Sequence, residues 1–547
     1  MDLCSQKWYK SGRLSGWGQT NLQKFCIAVC PQPDNIRKLL YYRENKKRRK
    51  WRIKMKLREL CEKIEYTCLQ GSMDVEIADI IYDSRKLEQG TAFVCMIGAK
   101  TDGHKYIPDA VTKKASAIVV EKEVDLAEIP AEITVISVAS ARKALACMSA
   151  AYFGYPAREL TTIGLTGTKG KTTTTYMIKS VLEHAGKKVG LIGTIGSLAG
   201  DKKLPSKNTT PESYELHRLF REMVKEGCSH VVMEVSSQGL KLDRTAGIEF
   251  DYGVFTNLSP DHIGPAEHAS FEEYMECKSL LFRQCRCGIV NADDEHVEGI
   301  LKGHTCEVKT FSCEKQADLM AENIGFLQEN GKLGMHFHTK GCMDCEARVH
   351  IPGRFSVYNA LVTMLVCHLA GIGDEAILAA LSEVQVKGRV EMVPVSDKFT
   401  LIIDYAHNEV STRSVLTTLL EYHPKRLICV YGGGGNRSKL RRYDMGEVTG
   451  EMADLCVLTC DNPRDEEISD INNDIKVGLA KSNGKYIEID DRKEAIRYCI
   501  ENAKEGDMIV LLGKGHENYQ EIKGVKYHFD EREAVAEIME EMKKGLM

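Results

Sequence analysis

The feature that most restricts the fold is a regular alternation of short apolar runs with helical patterns, which begins at Thr161. The strand-like runs of this first block are 163–165, 189–192, 231–235, 253–256 and 288–290. A second block follows Phe399, and its strand-like runs are 401–403, 427–431, 455–459, 487–489 and 508–512. Strands that alternate with helices are typical of a parallel sheet covered on both faces. The sequence therefore predicts an α/β protein.

The chain has 547 residues, too many for one hydrophobic core, so several domains are expected. A mixed region with short strands at 91–96 and 117–120 and a helix over 140–153 precedes the first block. We predict three domains and one extension. The extension is 1–54, and the domains are a smaller N-terminal α/β domain over 55–160, a central α/β domain over 161–388 and a C-terminal α/β domain over 389–547.

Residues 1–54 differ from the rest in charge. They hold 14 Lys and Arg against 3 Asp and Glu, a net charge of +11, whereas the whole chain carries -4. One interpretation is an arm that binds nucleic acid or a membrane surface. The other is a disordered or wrongly assigned extension, with Met55 as the natural start. We favour the extension, because no fold pattern crosses the segment.

Composition excludes several classes of protein. No apolar run reaches the ~20 residues of a membrane-spanning helix, and the first residues lack a secretory signal. The 20 cysteines are therefore expected as reduced thiols. We predict a cytoplasmic monomer without nucleic-acid partners or stable membrane insertion.

A glycine-rich loop lies between an apolar strand and a helical pattern. It comprises Gly167, Thr168, Lys169, Gly170, Lys171, Thr172 and Thr173. Glycines let backbone amides approach phosphate oxygens, and a helix start favours anions. Lys171 would contact the β- and γ-phosphates of a nucleotide, and the Thr172 hydroxyl would bind Mg²⁺. The strict phosphate-loop spacing is absent, because Leu165 occupies the position where that pattern has its first glycine. The strand before the loop and the helix after it nevertheless predict ATP binding.

Further motifs follow this loop in order. They are Asn208-Thr209-Thr210, Glu234-Val-Ser236-Ser237-Gln238, Asp261-His262, Glu276-Cys-Lys278, Asp404-Tyr-Ala-His407 and Gly513-Lys-Gly-His-Glu517. With the glycine-rich loop they resemble the Mur ligases over 55 to the C-terminus. The resemblance implies a UDP-sugar-binding domain, a P-loop ATP-binding domain and a Rossmann-like C-terminal domain. It also implies ATP and Mg²⁺ as cofactors in peptidoglycan precursor synthesis.

The same resemblance implies the site residues. Lys171, Glu234, His262 and Lys278 would be catalytic, and Thr172, Glu234, His262 and Lys278 would hold Mg²⁺. Because an ammonium cannot ligate a cation, Lys278 would act as its carbamate, N6-carboxylysine. A UDP-muramoyl dipeptide would contact residues of the first two domains, namely Ser84, Asn208, Thr209, Thr210, Ser236 and Arg244.

A motif in the C-terminal block indicates which amino acid the enzyme would add. Asp461-Asn462-Pro463-Arg464 resembles the signature of members that add meso-diaminopimelate, whose second carboxylate suits the planar fork of an arginine. Arg437, Gly513 and Glu517 would complete this site. Asn436, Tyr443 and Ser356 depart from the family pattern.

Three alternatives stay open at this point. The same reaction could use L-lysine or another diamino acid. A folylpolyglutamate-type ligase shares the phosphate loop, although the Ser84 and Thr209 segments favour a UDP-sugar. A nucleic-acid-binding ATPase would rest on the basic run 46–50 alone, and charge runs are weak indicators of function.

Overall fold

The computed structural model describes residues 54–98, 101–206, 208–261, 263–264, 267–329 and 332–545. The chain divides into two compact units, with the boundary between Ala139 and Ser140. The predictions for residues 1–53 and for His262 lie outside the described residues. The domain bounds at 160/161 and 388/389 stay predictions.

The first unit contains a five-stranded sheet. Its elements are β1 (Met55–Lys56), α1 (Leu57–Leu60), β2 (Tyr66–Gln70), β3 (Glu76–Ile77), β4 (Ile80–Ile81), β5 (Ala92–Val94), α2 (Ile107–Thr112), β6 (Ala117–Val120) and β7 (Thr134–Val138). The strand order is β2-β7-β6-β5-β4, and β2 alone is antiparallel to its neighbour in this sheet. The predicted strands at 91–96 and 117–120 are confirmed as β5 and β6.

The second unit begins with helix α3 (Ala141–Tyr152) and contains two large sheets. The first sheet is formed by β8 (Thr161–Thr166), β9 (Val189–Gly193), β10 (Gly196–Ala199), β11 (Lys202–Leu204), β12 (His230–Glu234), β13 (Phe250–Phe255), β14 (Cys285–Asn291), β15 (Glu307–Ser312), β16 (Leu319–Glu329), β17 (Lys332–Gly341) and β18 (Cys345–Val349). The helices around it are α4 (Lys171–His184), α5 (Ser213–Lys225), α6 (Ser237–Lys241), α7 (Phe271–Ser279), α8 (Val297–Ile300), α9 (Arg354–Leu369) and α10 (Asp374–Glu383).

This sheet has eleven strands in the order β11-β10-β9-β12-β8-β13-β14-β15-β16-β17-β18. The seven central strands, β9 to β16 in this order, run parallel. Helices α4 and α9 pack on one face, where Ile163 and Leu165 meet Val357 and Leu361 in a buried core. The carboxyl ends of β8, β12 and β13 therefore lie side by side, where ligands bind in open α/β sheets.

The second sheet has six strands in the order β19-β20-β24-β21-β22-β23. These strands are β19 (Glu391–Val393), β20 (Thr400–Asp404), β21 (Arg426–Tyr431), β22 (Leu455–Leu458), β23 (Tyr486–Glu488) and β24 (Asp507–Leu512). The helices around it are α11 (Glu409–Leu420), α12 (Lys439–Met452), α13 (Ile468–Ser482), α14 (Arg492–Glu501) and α15 (Glu531–Lys543), and a hairpin of β25 (Tyr519–Ile522) and β26 (Val525–His528) precedes α15. Apart from β19 the sheet is parallel, and both faces are covered by buried cores.

All ten strand-like runs of the two alternating blocks are confirmed as strands, and the α/β class is confirmed with them. The antiparallel strands β16 to β18 were not predicted. In β16 the pairing register shifts between Glu322 and Gly325, and Asn323 has a φ of +52°. This bulge interrupts the two-residue alternation by which an exposed strand is recognised in a sequence.

Candidate active site

The glycine-rich loop leads from the carboxyl end of β8 into helix α4. Gly170 stands at the helix N-cap with a φ of +85°, and Gly167 has a φ of +143°. Both angles lie in the region that L side chains rarely adopt. A Cβ atom on Gly167 would lie 2.0 Å from Oγ1 of Thr256, so the loop backbone packs directly on the end of β13. The amides of the first turn of this 14-residue helix lie at the loop, an arrangement that favours anions.

Lys171, the first residue of α4, folds its ammonium back over the loop. Its Nζ donates to the carbonyl oxygens of Gly167 at 2.8 Å and Thr168 at 3.0 Å. Burial lowers the pKa of Lys171, while the charges of Glu234 and Asp261 oppose that shift. The cation therefore lies where the phosphates of a nucleotide on this loop would meet it.

Thr172, the second residue of α4, and Glu234, the last residue of β12, form a buried pair. The Thr172 hydroxyl donates to Oε1 of Glu234 at 2.9 Å, and the backbone amide of Thr194 donates to the same oxygen at 2.8 Å. The Thr194 hydroxyl donates to Oε2 at 3.1 Å. A hydroxyl beside a carboxylate is the oxygen set that Mg²⁺ prefers, so these residues fit that ion.

Lys278 is 1% exposed and lies on helix α7. Its Nζ donates to the Gly167 carbonyl at 2.8 Å and lies 4.4 Å from the ring centroid of Tyr274. Burial, reinforced by the charge of Lys171, holds the pKa of Lys278 well below its usual range. The structure therefore brings Lys171, Lys278, Thr172 and Glu234 to one corner of the sheet.

The segment after β13 holds the glycine-rich loop in place through hydrogen bonds. Backbone amides of Thr168 and Lys169 donate to the Asn257 backbone oxygen and Oδ1 at 2.8 and 2.9 Å. The Thr256 hydroxyl donates to the Lys169 carbonyl at 2.7 Å. The predicted metal ligand His262 follows this segment but lies outside the described residues.

Sequence reasoning missed Thr194 and Tyr274 as site residues. Thr194 follows β9, a parallel strand next to β12. Its position at the carboxyl end of that strand was the only sequence feature that could have indicated a site residue. Tyr274 lies one helical turn before Lys278, and its hydroxyl lies 3.2 Å from Oγ1 of Thr168. Spacing along the helix could have indicated Tyr274.

The predicted UDP-muramoyl contacts of the second unit adjoin Glu234. The Thr210 hydroxyl donates to the Glu234 carbonyl at 2.9 Å and accepts from the Ser236 amide at 2.9 Å. Arg244 donates to the Thr210 carbonyl at 3.0 Å and to Oε1 of Glu212 at 2.6 Å. Oγ1 of Thr209 lies 3.2 Å from Oγ1 of Thr194, and Asn208 is exposed.

Ser84 belongs to the first unit, where it begins a short 3₁₀ turn, Ser84–Lys86. Asp83 caps this turn by accepting from the Arg85 amide at 3.2 Å. The same carboxylate accepts from Nε of Arg85 at 2.8 Å, and this hydrogen bond lowers the pKa of Asp83. The turn thus presents an exposed arginine beside Ser84.

The predicted acceptor residues gather at the carboxyl ends of β22 and β24. Nδ2 of Asn462 donates to Oδ1 of Asp461 at 3.2 Å and to Oε2 of Glu517 at 2.9 Å. A Cβ atom on Gly513 would lie 3.1 Å from Oδ2 of Asp461. Nζ of Lys514, fully buried, lies 3.5 Å from both Oδ1 of Asp461 and Oε2 of Glu517. The two loops therefore form one polar cluster.

Arg464 follows Pro463 and has a φ of +52°, unusual for a residue other than glycine. Its Nη1 donates to the Gly435 carbonyl at 2.6 Å, and its Nε donates to Oε2 of Glu521 at 3.3 Å. A Cβ atom on Gly434 would lie 3.3 Å from Nη1 of Arg464 and 3.6 Å from Cγ of the exposed Arg437. Two guanidinium-bearing side chains thus flank one glycine, which suits a carboxylate ligand.

The positions that depart from the family pattern have local roles. Asn436 has a φ of +54°, and its Nδ2 donates to Oδ2 of Asp465 at 2.6 Å. The Ser356 hydroxyl donates to the Gly353 carbonyl at 2.7 Å in the first turn of α9. A Cβ atom on Gly478 would lie 1.9 Å from the backbone oxygen of Tyr443, so α12 and α13 pack closely there.

Within the described ranges, none of the helices has the length and hydrophobicity that crossing a bilayer requires. Among those residues, one cluster could hold a further metal ion, formed by His268, Glu273 and Cys277. Glu273 already accepts hydrogen bonds from the Ala269 amide and pairs with Lys241. This cluster was not predicted.

Comparison with known proteins gives three matches to family models. Residues 76–153 match "Mur ligase family, catalytic domain", residues 165–367 match "Mur ligase middle domain", and residues 388–515 match "Mur ligase, glutamate ligase domain". A UDP-N-acetylmuramoyl-L-alanyl-D-glutamate–2,6-diaminopimelate ligase of Clostridium tetani is 43% identical over 491 residues, which are 89% of this chain and 100% of that protein.

Two solved structures resemble this one. A UDP-N-acetylmuramoyl-L-alanyl-D-glutamate–2,6-diaminopimelate ligase has a TM-score of 0.65 and 26% identity, and the match covers 90% of this chain and 100% of that one. A folylpolyglutamate synthase of Mycobacterium tuberculosis, solved with ADP and AMPPCP, has a TM-score of 0.53 at 16% identity over 73% of this chain and 94% of its own. The second likeness concerns the fold alone.

Proposed function

The chain belongs to the Mur ligase family, and we propose that it joins meso-2,6-diaminopimelate to UDP-N-acetylmuramoyl-L-alanyl-D-glutamate at the expense of ATP. Among the observations that support this proposal, the convergence of Lys171, Lys278 and the Thr172–Glu234 pair on one phosphate loop carries it. The product would be a precursor of peptidoglycan.

The reaction must activate a carboxylate, because a carboxylate and an amine do not condense in water. The substrate carboxylate attacks the γ-phosphorus of ATP, the bond from that phosphorus to the bridging oxygen breaks, and ADP leaves. The amine of the incoming amino acid then attacks the acyl phosphate. Phosphate departs, the amine loses a proton, and an amide bond remains. Such a sequence depends mainly on positioning and on neutralising charge.

Lys171 and the amides at the start of α4 would hold the phosphates of ATP. Thr172 and Glu234 offer oxygen ligands for Mg²⁺, and His262 and Lys278 would serve a second Mg²⁺. When bound, Mg²⁺ supplies charge neutralisation between the two anionic substrates. Hydrogen bonds from Thr172 and Thr194 fix the orientation of the Glu234 carboxylate.

Lys278 would take part as its carbamate. Its neutral amine adds CO₂, one N–C bond forms, and one proton is released, leaving an anionic oxygen ligand in place of an ammonium. The lowered pKa supports this step, because the neutral amine is the form that reacts. The proposal is also supported by the hydrogen bond from Nζ of Lys278 to the Gly167 carbonyl, which puts this lysine beside the phosphate loop.

The acceptor would bind where Arg464, Asn462 and Glu517 come together. Glu517 would pair with the distal ammonium of diaminopimelate, and Arg464 and Arg437 would hold the distal carboxylate. Asp461, Pro463 and Gly513 shape the loops around it. Thr209, Thr210, Ser236 and Arg244, with Asn208 and with Ser84 of the first unit, would contact the UDP-muramoyl dipeptide.

The test is an acceptor panel with the purified full chain. ATP, Mg²⁺ and UDP-N-acetylmuramoyl-L-alanyl-D-glutamate are mixed in turn with meso-diaminopimelate, L-lysine or ornithine, and both phosphate release and product mass are followed. We expect turnover with diaminopimelate and none in the Lys171→Ala variant. A chain that forms no ADP with any diamino acid would refute the ligase; preference for lysine would refute the acceptor.

A further inference from the structure

A buried ion pair lies directly behind the acceptor loops. Arg492 is 1% exposed and Glu531 is 0% exposed. Nε and Nη2 of Arg492 both donate to Oε1 of Glu531, at 2.9 and 2.7 Å. Arg492 is the first residue of α14 and Glu531 the first residue of α15, so the pair joins two helix starts.

The guanidinium of Arg492 has two further partners, and both belong to acceptor loops. Nη1 donates to the Cys460 carbonyl at 3.2 Å, and Nη2 donates to the Leu512 carbonyl at 2.8 Å. Cys460 immediately precedes Asp461, and Leu512 immediately precedes Gly513. One side chain therefore holds both loops at the residue before their predicted contacts with the acceptor.

Helix α15 supports the second of these loops at another point. Nη2 of Arg532 donates to the Gly515 carbonyl at 2.7 Å, and the same guanidinium donates to both oxygens of Glu391. Arg492, which Glu531 accepts from, and Arg532 thus donate to three carbonyls of the acceptor loops, those of Cys460, Leu512 and Gly515.

We propose that Arg492 and Glu531 are positioning residues, which set the spacing between the Asn462–Arg464 loop and the Gly513–Glu517 loop and thereby the affinity for the diamino acid. This inference rests on the proposed function, since it assumes that these loops bind the acceptor. Neither residue reaches the surface, so neither touches the substrate.

Stability alone is a poor explanation for the pair. Taking two charges out of water costs about as much as their attraction returns, so apolar side chains often replace a buried pair without loss of stability. Apolar side chains would leave the carbonyls of Cys460 and Leu512 without these donors. The loops would then shift relative to each other, and Asn462, which bonds to Glu517 across them, would lose its geometry.

The variants to make are the double replacement Arg492→Met/Glu531→Leu and the single replacement Arg492→Lys. The three donors of a lysine diverge from a single nitrogen, so they do not reproduce the planar fork that Arg492 directs at two carbonyls and Glu531. We expect the KM for meso-diaminopimelate to rise about tenfold or more, because small displacements of positioning groups carry costs of this size. The KM for ATP should stay within about twofold. The midpoint of thermal unfolding should fall by a similar number of degrees in the double variant and in the control below.

The matched control is Arg426→Met/Asp507→Leu. Arg426 begins β21 and Asp507 begins β24, and Nε of Arg426 donates to Oδ2 of Asp507 at 3.2 Å. This pair ties the same sheet at the amino ends of its strands, away from the acceptor loops. Its removal should leave the KM for diaminopimelate unchanged.

Failure of this inference differs from failure of the proposed function. If the wild-type chain uses no diamino acid, the proposed function is wrong. Suppose that the wild-type chain does use diaminopimelate. The inference is then overturned if Arg492→Lys changes the KM for diaminopimelate by less than about twofold. It is also overturned if this variant raises the KM for ATP as much as the KM for diaminopimelate. If the double variant does not fold, the KM for diaminopimelate measured in Arg492→Lys and in Glu531→Gln decides the test.

Discussion

Two lysine Nζ atoms, of Lys171 and Lys278, donate to one backbone carbonyl at Gly167, each at 2.8 Å. Neighbouring like charges disfavour each other's charged form, and burial adds to this effect. Burial lowers the pKa of both lysines, and it holds the pKa of Lys278 well below its usual range, whereas the charge of Glu234 opposes the shift at Lys171. At the scale of single residues, this crowding favours the neutral amine of Lys278, the form that the proposed carbamate requires.

Replacing Lys278 by alanine tests its proposed carbamate. We expect kcat to fall about 100-fold or more, since an oxygen ligand of the reaction centre is lost. Added acetate or formate should restore part of the rate by filling the space with a carboxylate. Lys179→Ala is the control, because Lys179 is also buried but pairs with Glu183 on α4. A variant with full activity and no response to carboxylates would contradict the carbamate.

Replacing Arg464 by alanine tests the acceptor site. Loss of a charge-assisted fork should raise the KM for meso-diaminopimelate about 10- to 100-fold, while the KM for ATP changes little. Steady-state kinetics with each substrate varied in turn measures both constants. Arg413→Ala, which removes an exposed arginine of α11, serves for comparison. An unchanged KM for the diamino acid would rule out this role for Arg464.

At the scale of elements, the phosphate loop joins β8 to α4 and leaves no room for a side chain at Gly167. Gly167→Ala would place a methyl group 2.0 Å from Oγ1 of Thr256 in a backbone conformation that disfavours alanine. We expect a raised KM for ATP and a kcat lowered at least tenfold, as the amides move off the phosphates. Nucleotide titration and kinetics measure both.

Gly186→Ala is the matched control for Gly167→Ala. Gly186 also has a positive φ, of +77°, but an added Cβ atom there would meet nothing within 4 Å. This variant should lose only about 1 kcal/mol of unfolding free energy through backbone strain and keep its activity. Equal kinetic losses in both variants would show that the effect is not specific to the phosphate loop.

The loop after β22 is fastened to helix α12 by a buried arginine. Arg442 donates through Nη1 to Oε2 and through Nη2 to Oε1 of Glu466, both at 2.8 Å, and these hydrogen bonds lower the pKa of Glu466 to about 2. A carboxyl group whose pKa is lowered by folding stabilises the fold at pH values above its ordinary pKa. That stability is lost as the pH falls toward about 2.

Glu466→Gln therefore tests an acid-sensitive contact. In the wild type, the unfolding free energy should decrease as the pH drops from about 4.5 to about 2. The variant should be less stable at neutral pH and show a shallower decrease over that range. Denaturant unfolding at several pH values measures this. Parallel curves for both proteins would contradict the assignment.

At the scale of the whole molecule, the chain comprises a small unit and a large one, and the large unit carries the eleven-stranded and the six-stranded sheet. The relative from Clostridium tetani matches 89% of this chain over its full length. We expect removal of residues 1–54 to leave kcat and all three KM values within about twofold, because the matched family motifs start later. Loss of activity or of soluble protein on truncation would show that the segment belongs to the working enzyme.

The sequence by itself determined the α/β class, the ten strands of the two alternating blocks and the phosphate loop. Apolar runs and glycine spacing are local signals, and parallel strands that are buried on both faces are recognisable without their neighbours. Family resemblance supplied the residues proposed for the site. The bulged strand β16, whose alternation is interrupted near Asn323, was not recognisable in this way.

Only the tertiary structure decided which side chains meet. Strand order places β12 beside β8, so Glu234 reaches Thr172, and no local pattern encodes that order. The shared carbonyl at Gly167, the Thr194 contacts and the Arg492–Glu531 pair likewise join residues far apart in the chain. A sequence encodes local preference, whereas contacts between distant segments follow from how the sheets and helices pack together.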